Sequence, residues 1–307
     1  MNIFTAILLK VLSTLLFAAM GASVRWLGEI VPVGQMVFFR SAFAILPVVI
    51  FYAWRGELWT ALHTGRPFGH VGRGLVGVGG MFFNFGALAR LPLADATAIG
   101  FSSPLITVAL AGLWLGERVR IYRWSAVLLG FAGVIVMLAP HLSVAQFSVM
   151  SAAASLGAVL AVLAAVFNAL AVIQTRRLTD SETTSSIVLY FSLICMVIGL
   201  MTLPFGWHRP DTTELIVLVM IGVLGGVGHL LLTESYRYTS ASLIAPFDYV
   251  AILWAFAFGY FLFGEVPEPM VFAGAAIVIA AGLFVIWREH QLRLKRRREL
   301  EGPSESA

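Results

Sequence analysis

Apolar stretches of membrane-span length recur along this 307-residue chain, with only short polar stretches between them. Ten windows stand out: Phe4–Val24, Pro32–Trp54, Gly74–Ala89, Leu93–Leu115, Tyr122–Ala139, Ala152–Gln174, Ser185–Phe205, Thr213–Leu232, Ser242–Gly264 and Glu268–Trp287. A helix crossing a bilayer needs about 20 mostly apolar residues. Lipid offers no partner to a bare peptide group, so each segment must satisfy its own backbone. The reading is an all-α integral membrane protein of ten transmembrane helices, the third short and glycine-rich. Charged residues make up 12% of the chain, against roughly 25% in soluble domains, and the ten spans leave little length for a soluble domain.

Several classes are excluded at this level. The net charge of +4 comes from a basic excess at the C-terminus and in particular loops, which is not a nucleic-acid footprint. One cysteine, Cys195, rules out an intrachain disulfide, and with six scattered histidines it offers no metal cluster, so no metal and no cofactor are expected. Ala18-Ala-Met-Gly-Ala22 faintly resembles a signal-peptidase site. The preceding stretch lacks a basic start and is interrupted by Lys10, so the first window reads as a retained helix.

Basic residues orient the bundle. With the N-terminus in the cytoplasm, inside loops and their edges hold Arg55, Arg66, Arg73, Arg118, Arg120, Arg123, Arg176, Arg177 and Arg237. The inside tail adds Arg288, Arg293, Lys295, Arg296, Arg297 and Arg298, against only Arg25, Arg90 and Arg209 outside. The positive-inside rule therefore places both termini in the cytoplasm of an inner-membrane protein. The tail, 289–307, reads as a basic anchor near anionic headgroups followed by a polar, disordered end.

A shift of 148 residues superimposes one half on the other: Gly74, Gly77 and Gly80 fall on Gly222, Gly225 and Gly228, Phe101 on Tyr249, and Gly116-Glu117 on Gly264-Glu265. Residues 1–140 and 152–288 are expected to be two copies of a five-helix unit. An odd number of spans per copy sets the copies in opposite orientations. Inverted repeats of this kind suit alternating access to a midplane site, and a scaffold has no use for them.

The residues carrying a family resemblance are Leu91-Pro-Leu-Ala-Asp-Ala-Thr-Ala98, Phe101-Ser-Ser-Pro104, Leu115-Gly-Glu-Arg118, Trp124 and Gly130-Phe-Ala-Gly133. In the second copy they are Ala241-Ser-Leu-Ile-Ala245, Tyr249, Phe263-Gly-Glu265 and Gly274, with Ile252 standing where Pro104 stands in the first. On these stretches the chain resembles the ten-helix EamA-type branch of the drug/metabolite transporter superfamily over residues 5–288. The resemblance implies a secondary transporter of a small metabolite. The run Asp95 to Pro104, joined to Leu115-Gly-Glu-Arg118, is most similar to a bacterial cluster of riboflavin importers and S-adenosylmethionine carriers. Riboflavin uptake is the first substrate expectation; a carrier or exporter of S-adenosylmethionine, an amino acid or another metabolite is the alternative. The partners implied are a small-molecule substrate and the lipid bilayer, with a homodimer left open.

Candidate site residues follow from charge and polarity at membrane depth. Lys10, Arg40 and Asp248 lie within expected spans, where an ionisable group costs about 2.5–3.5 kcal/mol on insertion scales and usually faces the bundle interior. Asp248 is either a substrate or proton-coupling group or a counter-charge to Arg40 or Lys10. Lys10, nearer the cytoplasmic end, could instead snorkel. Asn84 and Asn168 carry amides that lipid cannot satisfy. With Tyr249, Trp254 and the phenylalanines around Asn84 they suit a flat heterocycle, although interhelical packing explains such residues too. Ser103 and Pro104, with Ser102, mark a mid-span break that either lines a cavity or is a tolerated bend.

Gly72-Arg-Gly-Leu-Val-Gly77 matches a dinucleotide-binding pattern, but no βαβ unit surrounds it, and closely packed helices explain its glycines. Glu117 and Glu265 read as structural groups near loop amides. No metalloprotease, serine-hydrolase or paired-carboxylate motif is present, so an enzyme is not expected.

Overall fold

The computed structural model describes residues 3–114, 121–142, 149–178, 181–238 and 245–301. The first half contains α1 (Ile3–Leu27), α2 (Val33–Trp54), the short α3 (Leu58–Leu62), α4 (Pro67–Leu88), α5 (Leu93–Gly100), α6 (Ser103–Trp114) and α7 (Ile121–Leu142). The second contains α8 (Val149–Leu178), α9 (Thr184–Leu200), α10 (Thr212–Tyr238), α11 (Val250–Phe263) and α12 (Pro269–Glu301), with 3₁₀ turns at Leu203–Phe205 and Ala245–Tyr249. Among the described residues there is no strand. Eight segments are long and apolar enough to cross a membrane, and the apolar stretches Trp124–Met137 and Phe247–Phe263 are shorter. Counting α5 and α6 as one broken span, these are the ten expected traverses.

The helices start and stop for local reasons. Proline occupies the first positions of α4 and α12, where a missing N–H costs nothing. Thr183 caps α9 by accepting the Ser186 amide on its hydroxyl. Gly264 ends α11 at a positive φ of 65°, a conformation glycine adopts without strain. The third span differs from the expectation. It begins at Pro67 rather than Gly74 and runs 22 residues. His70, Arg73 and the glycines lower the apparent hydrophobicity of the first two turns, which are nonetheless helical.

Packing follows a two-fold exchange. Helix α1 packs on α10 as α8 packs on α4; α2 packs on α10 as α9 packs on α4; α11 rests on α1 as α5 and α6 rest on α8. The pairs α2–α9 and α7–α12 map onto themselves. The repeated glycines explain this. A Cβ at Gly74, Gly77 or Gly80 would collide with Ile194 and Phe191 of α9 or press on Asn168 of α8. At Gly222, Gly225 and Gly228 it would meet Phe43 of α2 or Met20 and Phe17 of α1. Equivalent glycines thus admit equivalent helices. Without a hydrophobic force between helices in lipid, such close approach provides the packing attraction.

Both ends of the bundle are tied by polar groups. At the end carrying the chain termini, Arg55 of α2 bonds Glu234 of α10 at 3.0 Å. There Glu182 also accepts the Gly65 amide at 2.9 Å and lies 3.3 Å from His70 Nε2. Burial alone would push the Glu182 carboxyl up. The neighbouring His70 imidazole, the Gly65 amide and Thr64 outweigh that and hold its pKa below the ordinary 4.5. A depressed carboxylate stabilises the fold above its unfolded pKa, and that contribution disappears as pH falls through the folded value. Thermal melts of the purified protein should therefore lose stability below about pH 4.5. Glu182→Gln should be less stable at neutral pH and should lose less on acidification. Identical pH profiles for the two proteins would refute this.

Candidate functional site

A central cavity of about 380 Å³ is walled by α1, α2, α4, α5, α8, α9 and α10. That volume lies within the usual range for small-molecule sites. From the first half come Phe17, Met20, Arg40, Arg73, Asn84 and Thr97, and from the second Asn168, Phe191 and His229. Arg40, expected mid-span, is 4% exposed and holds its guanidinium 5.8 Å from the centre of the Phe191 ring. Arg73 lies 4.5 Å from the same ring, and its Nε donates to Thr175 Oγ1 at 2.7 Å. Thr175 in turn donates to the Ala171 carbonyl at 2.8 Å, so the hydroxyl has a fixed orientation. His229 meets the edge of Phe17 at 5.0 Å. Gly225 leaves the space that Arg40 and Met20 occupy, and Gly77 does the same for Arg73 and Phe191. The glycine repeat therefore shapes the cavity wall as well as the packing.

A second cavity of about 460 Å³ lies between the α5–α6 break, the Ala245–Tyr249 turn and α12. Gly100, Phe101, Ser103, Pro104, Leu105, Asp248 and Tyr249 line it, with Gly282 and Ile286 of α12. The rings of the repeat mates Phe101 and Tyr249 meet there at a tilt of 36°, their centres 5.0 Å apart. Lys10 is ion-paired with Asp248 at 2.5 Å; the lysine side chain is 2% exposed and the aspartate 48%. Lys10 therefore does not snorkel, because a carboxylate on a neighbouring element holds it inside. Asp248 is the counter-charge of Lys10 and not of Arg40.

The eight candidate residues thus separate into two groups that share Gly100 on their boundary. Arg40, Asn84 and Asn168 line the central cavity, Ser103, Pro104, Asp248 and Tyr249 line the second, and Lys10 joins the latter through Asp248. As candidates for a single midplane site, Arg40, Asn84, Pro104, Asn168 and Asp248 do not line one cavity. The break at Phe101–Ser102 turns α6 away from α5 and divides them. Arg73 was assigned to a loop edge; it stands in α4, in the central cavity. Pro67, an N1 proline three residues before His70, was the signal that would have extended the helix over it. Phe191 and Thr97 carried no mark distinguishing them from packing residues.

At the opposite end from the termini, Glu265 accepts Arg25 Nε at 3.1 Å and the Leu93 amide at 2.8 Å, while Arg25 Nη1 donates to the Ala89 carbonyl at 3.2 Å. This joins the ends of α1, α4 and α5 to the α11–α12 turn, next to Leu88 and Leu93, which line the central cavity. The expected role of Glu265 near loop amides is what is found. Its repeat mate Glu117 lies outside the described residues.

The profile of the EamA-like transporter family matches this chain twice, over residues 4–139 and 155–287. The chain belongs to the EamA-like transporter family. It is similar to an S-adenosylmethionine uptake transporter of Rickettsia bellii, 30% identical and covering 89% of this chain and 90% of that one. It is also similar to a pseudopaline exporter of Pseudomonas aeruginosa, 30% identical with 90% and 94% coverage. A riboflavin transporter of Rhizobium johnstonii is 28% identical with 91% and 90% coverage. A solved crystal structure shares the fold, with a TM-score of 0.65 at 19% identity over 91% of this chain and 95% of that one. The protein is a multi-pass membrane transporter and not an enzyme.

Proposed function

We propose that this protein is a secondary carrier that moves a small metabolite across the bacterial inner membrane by alternating access, with both termini in the cytoplasm. One observation carries this reading: the central cavity takes its polar residues from both halves, Arg40, Arg73, Asn84 and Thr97 from the first and Asn168 and His229 from the second. Two units of like packing and opposite orientation have two conformations of similar energy, related by exchanging their shapes. In each, the cavity opens to a different side.

Riboflavin uptake is the substrate reading that the resemblance around Asp95–Pro104 favours, with Phe17, Phe85, Asn84 and Asn168 as stacking and hydrogen-bonding groups for its ring system. S-adenosylmethionine is the second reading, favoured by the two arginines, since this molecule carries a carboxylate and riboflavin carries none. The test is counterflow in proteoliposomes loaded with each unlabelled compound in turn. The expected result is saturable accumulation of the labelled compound in one of the two, chemically unchanged. Non-saturable leakage of both, or a chemically altered solute, would overturn the carrier reading for these substrates.

A further inference from the structure

We propose that Arg40 and Arg73 form an anion-binding pole in the central cavity that recognises an acidic group, a carboxylate or phosphate, on the transported solute. The inference rests on the carrier reading and deepens it. Among the described residues, no carboxylate lies within ion-pairing distance of either guanidinium. Among the described residues, every acidic group in an ion pair is engaged elsewhere: Asp248 with Lys10, Glu265 with Arg25, Glu234 and Glu57 with Arg55, Glu182 with His70 and Glu214 with His208. Among the described residues, Arg40 meets the Phe191 ring and no carboxylate, and Arg73 Nη1 is buried with no hydrogen-bond partner. Two like charges share one aromatic ring inside a membrane protein, where ionisable groups ordinarily pair with each other or mark a substrate path.

The arrangement is built. Phe191 presents a π-face to both cations, which partly offsets their lost hydration. Thr175 fixes Arg73 through Nε, while Nη1 stays buried without a partner in a side chain that lines the cavity. Gly77 and Gly225 keep the space beside the two side chains clear. Arginine suits this task because its planar fork matches a carboxylate or phosphate with paired N–H donors. Asn84, Thr97 and Asn168, along the same cavity, then serve the neutral remainder of the solute.

The test uses the full chain in nanodiscs of uncharged lipid, with binding read by thermal shift. Two matched pairs of probes are compared: S-adenosylmethionine with its decarboxylated analogue, and riboflavin 5′-phosphate with riboflavin. The expected result is that, in at least one pair, the acid-bearing member binds at least tenfold more tightly. The pair that discriminates reports whether carboxylate or phosphate is the group. Arg40→Gln and Arg73→Gln should each reduce the preference to less than threefold, with partial recovery in Arg40→Lys. Thr175→Val, which keeps both charges, should weaken it severalfold and provides the reading if a glutamine variant fails to fold. No preference in either pair, or a preference unchanged in the arginine variants, overturns the proposal. Flux separates the two readings. Counterflow without acid preference removes the anion pole and leaves the carrier; acid preference without counterflow of any probe does the reverse.

Discussion

Asp248→Asn is expected to lower solute uptake at least tenfold and to remove its dependence on external pH, while the protein still reaches the membrane. The reason is the asymmetry of the Lys10–Asp248 pair. Lys10 is fully enclosed by α1 and its neighbours, whereas Asp248 stands on a turn and faces the second cavity with nearly half its side chain exposed. Asparagine there keeps the shape and removes the charge, so the ammonium is no longer held and the link between α1 and the turn ahead of α11 weakens. The charge at this position is thereby tied to the packing of one repeat on the other, and a carrier that switches between two packings would respond to its loss. The asparagine variant is locked in the neutral condition. Removing the carboxylate should destabilise the protein by an amount between the roughly 1 kcal/mol of an exposed pair and the 3–5 kcal/mol of a buried one. Asp248→Glu should retain partial, pH-dependent uptake. The double variant Lys10→Met with Asp248→Asn should recover thermal stability and not transport. Normal pH-dependent uptake by Asp248→Asn, or recovery of transport in the double variant, would make the pair structural only.

Lengthening Gly274 or Gly133 is expected to be the most damaging substitution for the fold. Helices α7 and α12 meet here backbone to backbone. A Cβ on Gly274 would lie 2.5 Å from the Gly133 carbonyl oxygen, and one on Gly133 would lie 2.9 Å from the Gly274 oxygen. Neither obstacle is a side chain that can rotate away, so even one methyl must push two helices apart. Overpacking typically costs about 1–3 kcal/mol, and a backbone obstacle places these sites at the upper end. Gly274→Ala should lower the melting temperature in detergent by several degrees, and Gly274→Leu should leave little monodisperse protein on size exclusion. Gly72→Ala is the control, because the nearest atom to its new methyl is 4.0 Å away and belongs to a flexible glutamine. Equal stability of Gly274→Leu and Gly72→Ala would refute the assignment.

Residues legible in the sequence were those that a membrane makes expensive. Lys10, Arg40, Asp248, Asn84 and Asn168 stand out because lipid penalises charge and bare amides wherever they occur. The structure places all five on cavities or in an ion pair. Glu265 was readable for a related reason, as a carboxylate beside helix ends whose amides need acceptors. Arg73 was not, because hydropathy averages over a window and three nearby glycines and a histidine pull that window below threshold. Phe191 was not, because a ring that supports two cations has the same sequence signature as one that packs against lipid.

The sequence by itself determined that this chain lives in a bilayer, crosses it ten times and consists of two related halves. Each of these rests on composition and periodicity, which lipid reads one residue at a time. Only the tertiary structure decided which charges meet. Lys10 pairs with Asp248 across 238 positions of chain, while Arg40 and Arg73 come to one ring with no acid between them. Such partnerships depend on the angle at which helices cross and on where a span breaks. Those are set by the glycine contacts and the Phe101–Ser102 interruption acting together, so no single stretch of sequence specifies them.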